Sequence, residues 1–249
     1  MNYLRFLEQL HARVRPERYL EIGVRWGDSL SVSRCPSLGI DPAFEISREL
    51  HTEVQLFRTT SDEYFARPEP LTPVGGEPFD LAFIDGMHLF EFALRDFINA
   101  ERHSRPTGLI VFDDVLPRKA AEASRVRETK DWTGDVYPML AVLRDYRPDI
   151  VMMTVDTQPT GLLLLMALDP SSTVLSDHYD EIIAGYRKPD PQPVPQDLMD
   201  RTWVQQPQRV LASGVLDVLP DARGHDDPAQ TIRDAVAARI GPALDLTKS

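Results

Sequence analysis

The stretch FDLAFIDGMHLFEF, residues 79–92, decides the fold of this chain, because its apolar run stops abruptly at Asp85, Gly86 and His88. A second stretch, GLIVFDDVLP at residues 108–117, has the same design and carries two adjacent acids. Apolar runs that are continuous rather than alternating are typical of parallel strands covered on both faces. The two stretches therefore predict buried strands whose carboxyl ends carry acidic side chains and an imidazole.

Similar short apolar runs recur along the chain and indicate the fold class. The others are RYLEIG, SLGIDP, VQLFRTT, DIVMMTVD and GLLLLMALD. Between the first five runs lie segments long enough for helices, such as residues 88–104, and this alternation indicates right-handed βαβ crossovers. Only TQPT, residues 157–160, separates the last two runs, so we expect an antiparallel hairpin. We predict an α/β, Rossmann-like doubly wound sheet of seven strands, mostly parallel, with an antiparallel last strand.

The two ends of the chain have patterns of their own. Apolar residues at helical spacing predict an opening amphipathic helix: Tyr3, Leu4, Phe6, Leu7 and Leu10. Five prolines between residues 189 and 207 suppress regular structure, and DPAQTIRDAVAARIG then predicts a terminal helix from Pro228 to a stop at Gly241. We predict a main domain at residues 1–188 and a proline-rich linker with a helical appendage at residues 189–249, acting as a lid or as a contact in a homo-oligomer.

Composition excludes several classes of partner. The formal net charge of −12 opposes binding to nucleic acid or to anionic membranes, which would need clustered Lys and Arg. The single cysteine, Cys35, rules out an internal disulfide and fits a reducing compartment. The N-terminus is charged throughout, unlike a signal peptide, and the longest apolar run, residues 162–168, is too short to span a bilayer. We expect a cytoplasmic protein.

The loop after the first predicted strand, EIGVRWGDS, indicates a ligand site. Its candidate residues are Glu21, Gly23, Gly27 and Ser29. Ligands of open α/β sheets bind beyond the carboxyl ends of the strands, and glycines there let the backbone approach closely. Arg25 and Asp28 break the glycine pattern of dinucleotide enzymes, whereas an acid at the strand end suits a ligand with an ammonium group.

The next two strand ends extend this site. Asp41 follows Glu21 by twenty positions, where an acid commonly accepts hydrogen bonds from ribose hydroxyls. Ser61 and Asp62 follow the third strand and are expected to meet a base edge. Amino acid, ribose and base together describe S-adenosylmethionine, with Asp85 as a further contact. The alternative is that Glu21 and Asp41 only cap helices.

The acids of the fourth and fifth strands form a second constellation. Neighbouring parallel strands lie about 4.8 Å apart, so Asp85, Asp113 and Asp114 are expected to crowd one edge of the sheet. A divalent cation would remove their repulsion, and oxygen ligands favour Mg²⁺, with Mn²⁺ or Ca²⁺ as alternatives. His88, three residues after Asp85, is the candidate base that deprotonates an acceptor hydroxyl. The alternatives are turn chemistry for the paired acids and a surface position for the histidine.

These motifs carry a family resemblance over residues 18–168. The pattern E-x-G-x-x-x-G-x-S, the Asp of GIDP and SDEYF resemble class I S-adenosylmethionine-dependent methyltransferases. FIDGMH, VFDDV, WTGDVY and PTGLLLL are similar to the metal-dependent branch with the bacterial O-methyltransferases of macrolide and aminocoumarin sugars and with catechol O-methyltransferase. The resemblance implies metal ligation by Asp85, Asp113 and Asp114 and a base at His88. It also implies a small-molecule hydroxyl acceptor in secondary metabolism, with a sugar favoured and a catechol second.

Some assignments have competing interpretations. Trp132, Asp135 and Tyr137 either shape an acceptor pocket or anchor the core. Asp96, eight residues after His88 on a predicted helix, either faces solvent, which we favour, or supports His88. A non-catalytic binding or assembly subunit with the same fold is the main alternative function, although it would have no reason to keep repelling carboxylates. A nicotinamide-dependent oxidoreductase is disfavoured by Arg25.

Overall fold

In the computed structural model, which describes residues 1–241, seven strands form one mixed sheet. The strands are β1 (Tyr19–Ile22), β2 (Ser37–Ile40), β3 (Val54–Phe57), β4 (Phe79–Ile84), β5 (Ser104–Phe112), β6 (Val151–Val155) and β7 (Leu162–Met166). Their spatial order is β3-β2-β1-β4-β5-β7-β6, and only β7 runs antiparallel to its neighbours. The predicted fold class, with its antiparallel last strand, is confirmed.

Ten helices accompany the sheet within residues 1–241. The helices are α1 (Tyr3–Val14), α2 (Ser61–Phe65), α3 (Phe90–Arg102), α4 (Met139–Tyr146), α5 (Val174–Asp177), α6 (Tyr179–Tyr186), α7 (Gln196–Met199), α8 (Pro207–Ser213), α9 (Val218–Asp221) and α10 (Pro228–Arg239). The opening amphipathic helix and the helix of residues 88–104 lie where the apolar spacing predicts them. No helix among residues 1–241 is long and apolar enough to cross a membrane.

Each face of the sheet is covered by its own hydrophobic core, because successive strand residues point to opposite faces. On one face, Ile22 and Ile84 pack with buried side chains of α3 and α4. On the other, Phe83 and Val111 pack with α1 and with the C-terminal helices α8–α10. This double cover explains why the strand sequences are continuously apolar.

Two of the expected crossover helices are absent from the described chain. The connection from β1 to β2 contains only a 3-10 turn, Leu30–Val32, and residues 41–53 between β2 and β3 form no helix. The latter segment instead runs along the β1–β2 loop, where Glu45 N–H donates to the Arg25 carbonyl and Ser47 N–H to the Trp26 carbonyl. These bonds satisfy backbone groups that a helix would otherwise pair internally.

Residues 189–241 are packed against the main body of the protein. Gln205 pairs with the edge of β6, through Gln205 N–H to Thr154 and Asp156 N–H to Gln205, both 2.9 Å. α10 begins at Pro228, as the sequence predicts, and buries Ile232 in the second core. The division into residues 1–188 and 189–249 stays a prediction, and residues 242–249 of the predicted appendage lie outside the described chain.

Candidate active site

The acidic side chains begin where the backbone pairing of the central strands ends. Ile84 is in register with Ile22 on β1 and with Phe112 on β5. The next two residues make the last backbone hydrogen bonds between these strands. The Asp85 N–H donates to the Ile22 carbonyl at 2.8 Å, and the Asp113 N–H donates to the Ile84 carbonyl at 3.0 Å. Asp85 and Asp113 therefore occupy equivalent positions on adjacent strands, which places their carboxylates at the same edge of the sheet.

Asp85, His88 and Asp114 form a compact cluster at this edge. One ligand atom from each lies within 4.8 Å of the others, the spacing that a shared cation requires. His88 Nε2 is 3.1 Å from Asp85 Oδ1, and His88 Nδ1 is 2.8 Å from Asp114 Oδ2. His88 and Asp114 both have a left-handed backbone, with φ of 57° and 61°, which is uncommon outside glycine and often marks functional positions.

Asp113 lies beside this cluster rather than in it. Its side chain is buried, and its Oδ1 accepts a hydrogen bond from the Asp114 backbone N–H at 2.8 Å. Of the three acids expected to hold a cation, Asp85 and Asp114 thus lie in the cluster, together with the predicted base His88. Asp113 also lines the cavity described below.

The acids and the histidine change each other's protonation. Burial, followed by the charges of Asp114 and Asp85, raises the pKa of Asp113 well above its ordinary value, and burial also raises that of Asp85. Although burial alone would lower it, hydrogen bonds and charges from Asp114 and Asp85 raise the pKa of His88 to about 10. The neutral imidazole expected from an ordinary histidine is therefore not the favoured form in this arrangement.

A single cavity of about 720 Å³ connects this cluster with the loops after β1, β2 and β3. Of the predicted cofactor residues, the following line it: Gly23, Asp41, Ser61, Asp62 and Asp85. Glu21, Gly27 and Ser29 are absent from its lining among the described residues. The predicted cofactor positions therefore separate into a set that faces the cavity and a set behind it.

Glu21 is in the second set. Its carboxylate is fully buried and accepts hydrogen bonds from the Tyr19 hydroxyl at 2.6 Å and the Ser29 hydroxyl at 2.9 Å. Burial raises its pKa to about 8. Glu21 thus holds Ser29 and the β1–β2 loop from behind.

Gly23 brings this loop against the end of β4. Its φ is +89°, and a Cβ at this position would lie 1.9 Å from the carbonyl oxygen of Asp85. Only glycine permits both the backbone conformation and the close approach. The first glycine of the motif therefore sets the distance between the β1 loop and the metal-ligand candidate Asp85.

The residues predicted to contact the ribose and the base are held in place by hydrogen bonds and an ion pair with neighbouring residues. The Asp41 carboxylate accepts backbone hydrogen bonds from Arg25 at 2.7 Å and from Ala43 at 2.6 Å, which links the ends of β1 and β2. Asp62 forms an ion pair with Arg95, whose Nη2 lies 2.9 Å from Asp62 Oδ2. Both carboxylates still line the cavity.

The expectation that Asp96 faces solvent is wrong. Its side chain is 3% exposed and accepts a hydrogen bond from the Ser61 hydroxyl, and burial raises its pKa to about 7. A Cβ on Gly86 would lie 3.0 Å from Asp96 Oδ2, so the glycine makes room for this acid. Asp96 lines the cavity beneath the base-edge residues.

The segment between β5 and α4 supplies the opposite wall. The Trp132 indole stacks on the His88 imidazole, with ring centroids 5.1 Å apart, and its Nε1 donates to the Ser124 carbonyl at 2.6 Å. Asp135 is buried and accepts the Phe90 N–H at 3.1 Å, whereas the Tyr137 hydroxyl lies 3.3 Å from Gln192 Oε1. Of the two interpretations, Trp132 fits the pocket, and Asp135 and Tyr137 anchor the core.

Sequence reasoning missed several cavity residues. Tyr3 of α1 lines the cavity, stacks on Phe83 and is fixed by a backbone bond from its N–H to Gln158 at 3.0 Å. Burial, followed by the charge of Asp113, raises the pKa of its phenol. Arg127 and Lys130 line the cavity from the β5–α4 segment. The only sequence signal for these two cations is the cluster of charged residues in that segment.

Comparisons with known proteins agree with this architecture. Residues 20–115 match a family model described as a methyltransferase domain. A protein from Klebsiella pneumoniae that is assigned as an O-methyltransferase has a similar structure, with a TM-score of 0.50 and 18% identity over 67% of this chain and 80% of its own. No curated protein matches the sequence.

Two further structures are more distant. An O-methyltransferase from Bacillus cereus in complex with S-adenosylhomocysteine (SAH) has a TM-score of 0.48 and 20% identity, over 66% of this chain and 79% of its own. MycE from the mycinamycin pathway, in complex with Mg, SAH and mycinamycin VI, has a TM-score of 0.43 and 21% identity, over 68% and 49%. The predicted resemblance to class I methyltransferases is confirmed by the domain match and by the fold.

Proposed function

Starting from a chain with a methyltransferase domain and the class I fold, we propose that it is an S-adenosylmethionine- and Mg²⁺-dependent O-methyltransferase of small molecules. The observation that carries the proposal is the single cavity, which joins the predicted ribose and base residues Asp41 and Asp62 to the His88 cluster. Methyl transfer needs this continuity, because the methyl donor and the acceptor oxygen must meet in line.

The donor set supports a divalent cation. Asp85 and Asp114 offer carboxylate oxygens within 4.8 Å of each other, and Asp113 lies at the same edge. Burial, followed by the negative charge of neighbouring acids, raises the pKa of Asp113, and burial also raises the pKa of Asp85; a hard cation would relieve this concentration of negative charge. We assign the predicted ligands Asp85, Asp113 and Asp114 to Mg²⁺, with Mn²⁺ or Ca²⁺ as substitutes.

When bound, S-adenosylmethionine supplies the electrophilic methyl group, and Mg²⁺ lowers the pKa of the acceptor hydroxyl. The residues of this chain do the rest. His88 accepts the hydroxyl proton at its imidazole once the flanking acids are neutralised, and Trp132 fixes the plane of that ring. Asp41 and the pair Ser61 and Asp62 orient the nucleoside part of the donor.

The acceptor is a hydroxyl with neighbouring oxygens. The motif resemblance favours a sugar of a secondary metabolite, with a catechol second. Trp132 fits either, because an indole face packs well against a sugar or an aromatic ring.

Two titrations test the proposal. SAH is expected to bind by calorimetry with equal affinity with and without EDTA, whereas Mg²⁺ should bind the wild type and be lost in Asp85→Asn. Asp131→Asn, which removes another cavity-lining acid away from the strand ends, serves as the control and should keep Mg²⁺ binding.

Turnover is then measured with labelled S-adenosylmethionine on hydroxylated sugars and catechols. Activity should fall in EDTA and return with Mg²⁺. Turnover that is unchanged in chelator would remove the metal from the proposal, and a protein that does not bind SAH would contradict the methyltransferase function itself.

A further inference from the structure

Two cations on the cavity wall formed by the β5–α4 segment, where we place the acceptor, have no acidic partner. Arg127 and Lys130 line the cavity and are exposed, and neither has a carboxylate oxygen within 4.0 Å among residues 1–241. Two arginines of the same segment are paired, Arg125 with Glu91 and Asp135, and Arg118 with Asp131 at 3.9 Å, whereas Lys119 has no ion pair among residues 1–241 but lies outside the cavity lining. In a chain with net charge −12, unpaired cations at a cavity wall are unexpected.

Their position relative to the reacting centre is fixed by Trp132. The Arg127 guanidinium carbon lies 5.7 Å from the centroid of the indole ring, and the same ring stacks on His88 at 5.1 Å. Arg127 Nη2 donates to the Lys130 carbonyl at 3.3 Å, which keeps the two residues together. Arg127 and His88 therefore both contact the indole ring of Trp132, and Lys130 lies next to Arg127.

The charged residues of the cavity belong to different segments. The acids Asp85, Asp113 and Asp114 lie at the strand ends, whereas Arg127 and Lys130 belong to the β5–α4 segment that carries Trp132; the acid of that segment in the lining, Asp131, lies 3.9 Å from Arg118. Arg25, a third cation of the lining, lies on the β1 loop beside Asp41, at the donor side. An acceptor that packs on the Trp132 indole would have one end near His88 and the strand-end acids. Its other end would be within reach of the N–H donors of Arg127 and Lys130.

Resting on the proposed function, we propose that the acceptor is a hydroxylated ring that carries an anionic group, a carboxylate or a phosphate, bound by Arg127 and Lys130. A guanidinium presents several donors that match the oxygens of either anion, and the lysine adds a point charge. The anion would relieve the mutual repulsion of the two cations. It also orients the ring, because its opposite edge then faces His88.

Binding of matched probes tests this inference. The protein loaded with SAH and Mg²⁺ is titrated by calorimetry with 3,4-dihydroxybenzoate and with its methyl ester, then with glucose 6-phosphate and with glucose. At least one anionic probe is expected to bind at least about tenfold tighter than its neutral counterpart, with a preference that weakens at high salt. The pair that shows the preference distinguishes carboxylate from phosphate.

Variants assign the preference to the two residues. The double variant Arg127→Gln, Lys130→Gln should reduce it to about twofold or less, since the charge-assisted bonds are gone. Lys119→Gln makes the same charge change in the same segment outside the cavity lining and should keep the preference.

The inference is overturned if neither anionic probe binds better than its neutral partner, if neither binds at all, or if the double variant keeps the preference. Binding of SAH in the same protein separates these outcomes from failure of the proposed function. Loss of SAH binding in the wild type would contradict the methyltransferase proposal, whereas normal SAH binding without anion preference would contradict this inference alone.

Discussion

The indole of Trp132 lies face to face with the imidazole of His88, with ring centroids 5.1 Å apart and planes 13° from parallel. Two residues further along the chain, Gly134 packs against the carbonyl oxygen of His88. The β5–α4 segment thus holds both the ring and the backbone of the proposed base. Because the contacts are short, small changes in this segment should alter turnover more than cofactor binding.

Gly134→Ala is expected to displace His88. A Cβ at Gly134 would lie 1.7 Å from the His88 carbonyl oxygen, and the φ of +56° already disfavours alanine. A shift of about 1 Å at a reacting group can cost about 100-fold in rate, so kcat should fall by that order while SAH affinity stays near that of the wild type. Steady-state kinetics and SAH calorimetry measure the two effects.

Gly185→Ala is the matched control for this variant. Gly185 lies exposed on α6, and an added Cβ would meet nothing within 4 Å. Activity should be unchanged in this variant. A Gly134→Ala protein with the kcat of the wild type would show that the position of His88 does not limit turnover.

His88→Gln tests the assignment of the base. Loss of a general base typically costs about 10²–10⁴-fold in rate, so kcat should fall in this range, and SAH should bind as before because the nucleoside residues are intact. His51→Gln, at an exposed site outside the cavity lining, is the control and should keep full activity. A kcat within a few-fold of the wild type would assign proton removal to another group.

Asp190→Ala tests how the proline-rich segment supports the acceptor wall, that is, the part of the β5–α4 segment that contains Ser124 and Trp132. The Asp190 carboxylate accepts bonds from the Ser124 hydroxyl at 2.9 Å and from the Arg125 N–H at 3.1 Å, and Ser124 in turn accepts the Trp132 indole N–H. Loss of these bonds should loosen the wall and raise the acceptor KM by about tenfold, with SAH affinity unchanged. Michaelis–Menten kinetics with varied acceptor measure the change.

The control for this variant is Asp180→Ala, which removes an exposed acid of α6 that does not line the cavity. Its acceptor KM should equal that of the wild type. An equal loss of SAH affinity and acceptor affinity in Asp190→Ala would indicate general unfolding instead, because the hydrogen bonds of Asp190 go to Ser124 and Arg125 of the β5–α4 segment and to Gln192 of its own segment.

The strand ends were predictable because parallel topology alone brings them together. Asp85, Asp113 and Asp114 follow apolar runs, and the carboxyl ends of such runs share one edge of the sheet. Asp96 was also predictable in principle: it falls three residues after the buried Ala93 and four before the buried Ala100, on the inward face of α3. Its carboxyl group does not have to face solvent, because the Ser61 hydroxyl donates a hydrogen bond to it in the buried position.

Other features depend on contacts between distant segments. Tyr3 reaches the cavity because Gln158, far away in sequence, fixes the start of α1 against the β6–β7 turn. Glu21 is withdrawn from the cavity because the hydroxyls of Tyr19 and Ser29 bind it from behind. Strand periodicity gives the register of a residue, but it does not indicate which neighbouring polar groups satisfy its side chain.

Glu21 provides a prediction about stability and pH. Burial raises the pKa of its carboxyl to about 8 from an ordinary value of 4.5. The folded state therefore holds this proton more tightly than the unfolded chain, and the associated stability is present below about pH 4.5 and lost as the pH rises to about 8. Glu21→Gln mimics the neutral carboxyl, so its stability relative to the wild type should increase from pH 5 to pH 9, by an amount on the order of a few kcal/mol.

Urea unfolding at pH 5, 7 and 9 measures this difference. The slope with pH is the informative quantity, because the amide also changes the hydrogen bonds to Tyr19 and Ser29 by an amount that does not depend on pH. Glu8→Gln, an exposed position of α1, controls for the loss of one surface charge and should show no such slope. A constant difference between Glu21→Gln and wild type across this range would mean that Glu21 is ionised in the folded protein, since only a proton held by the folded state makes the difference vary with pH.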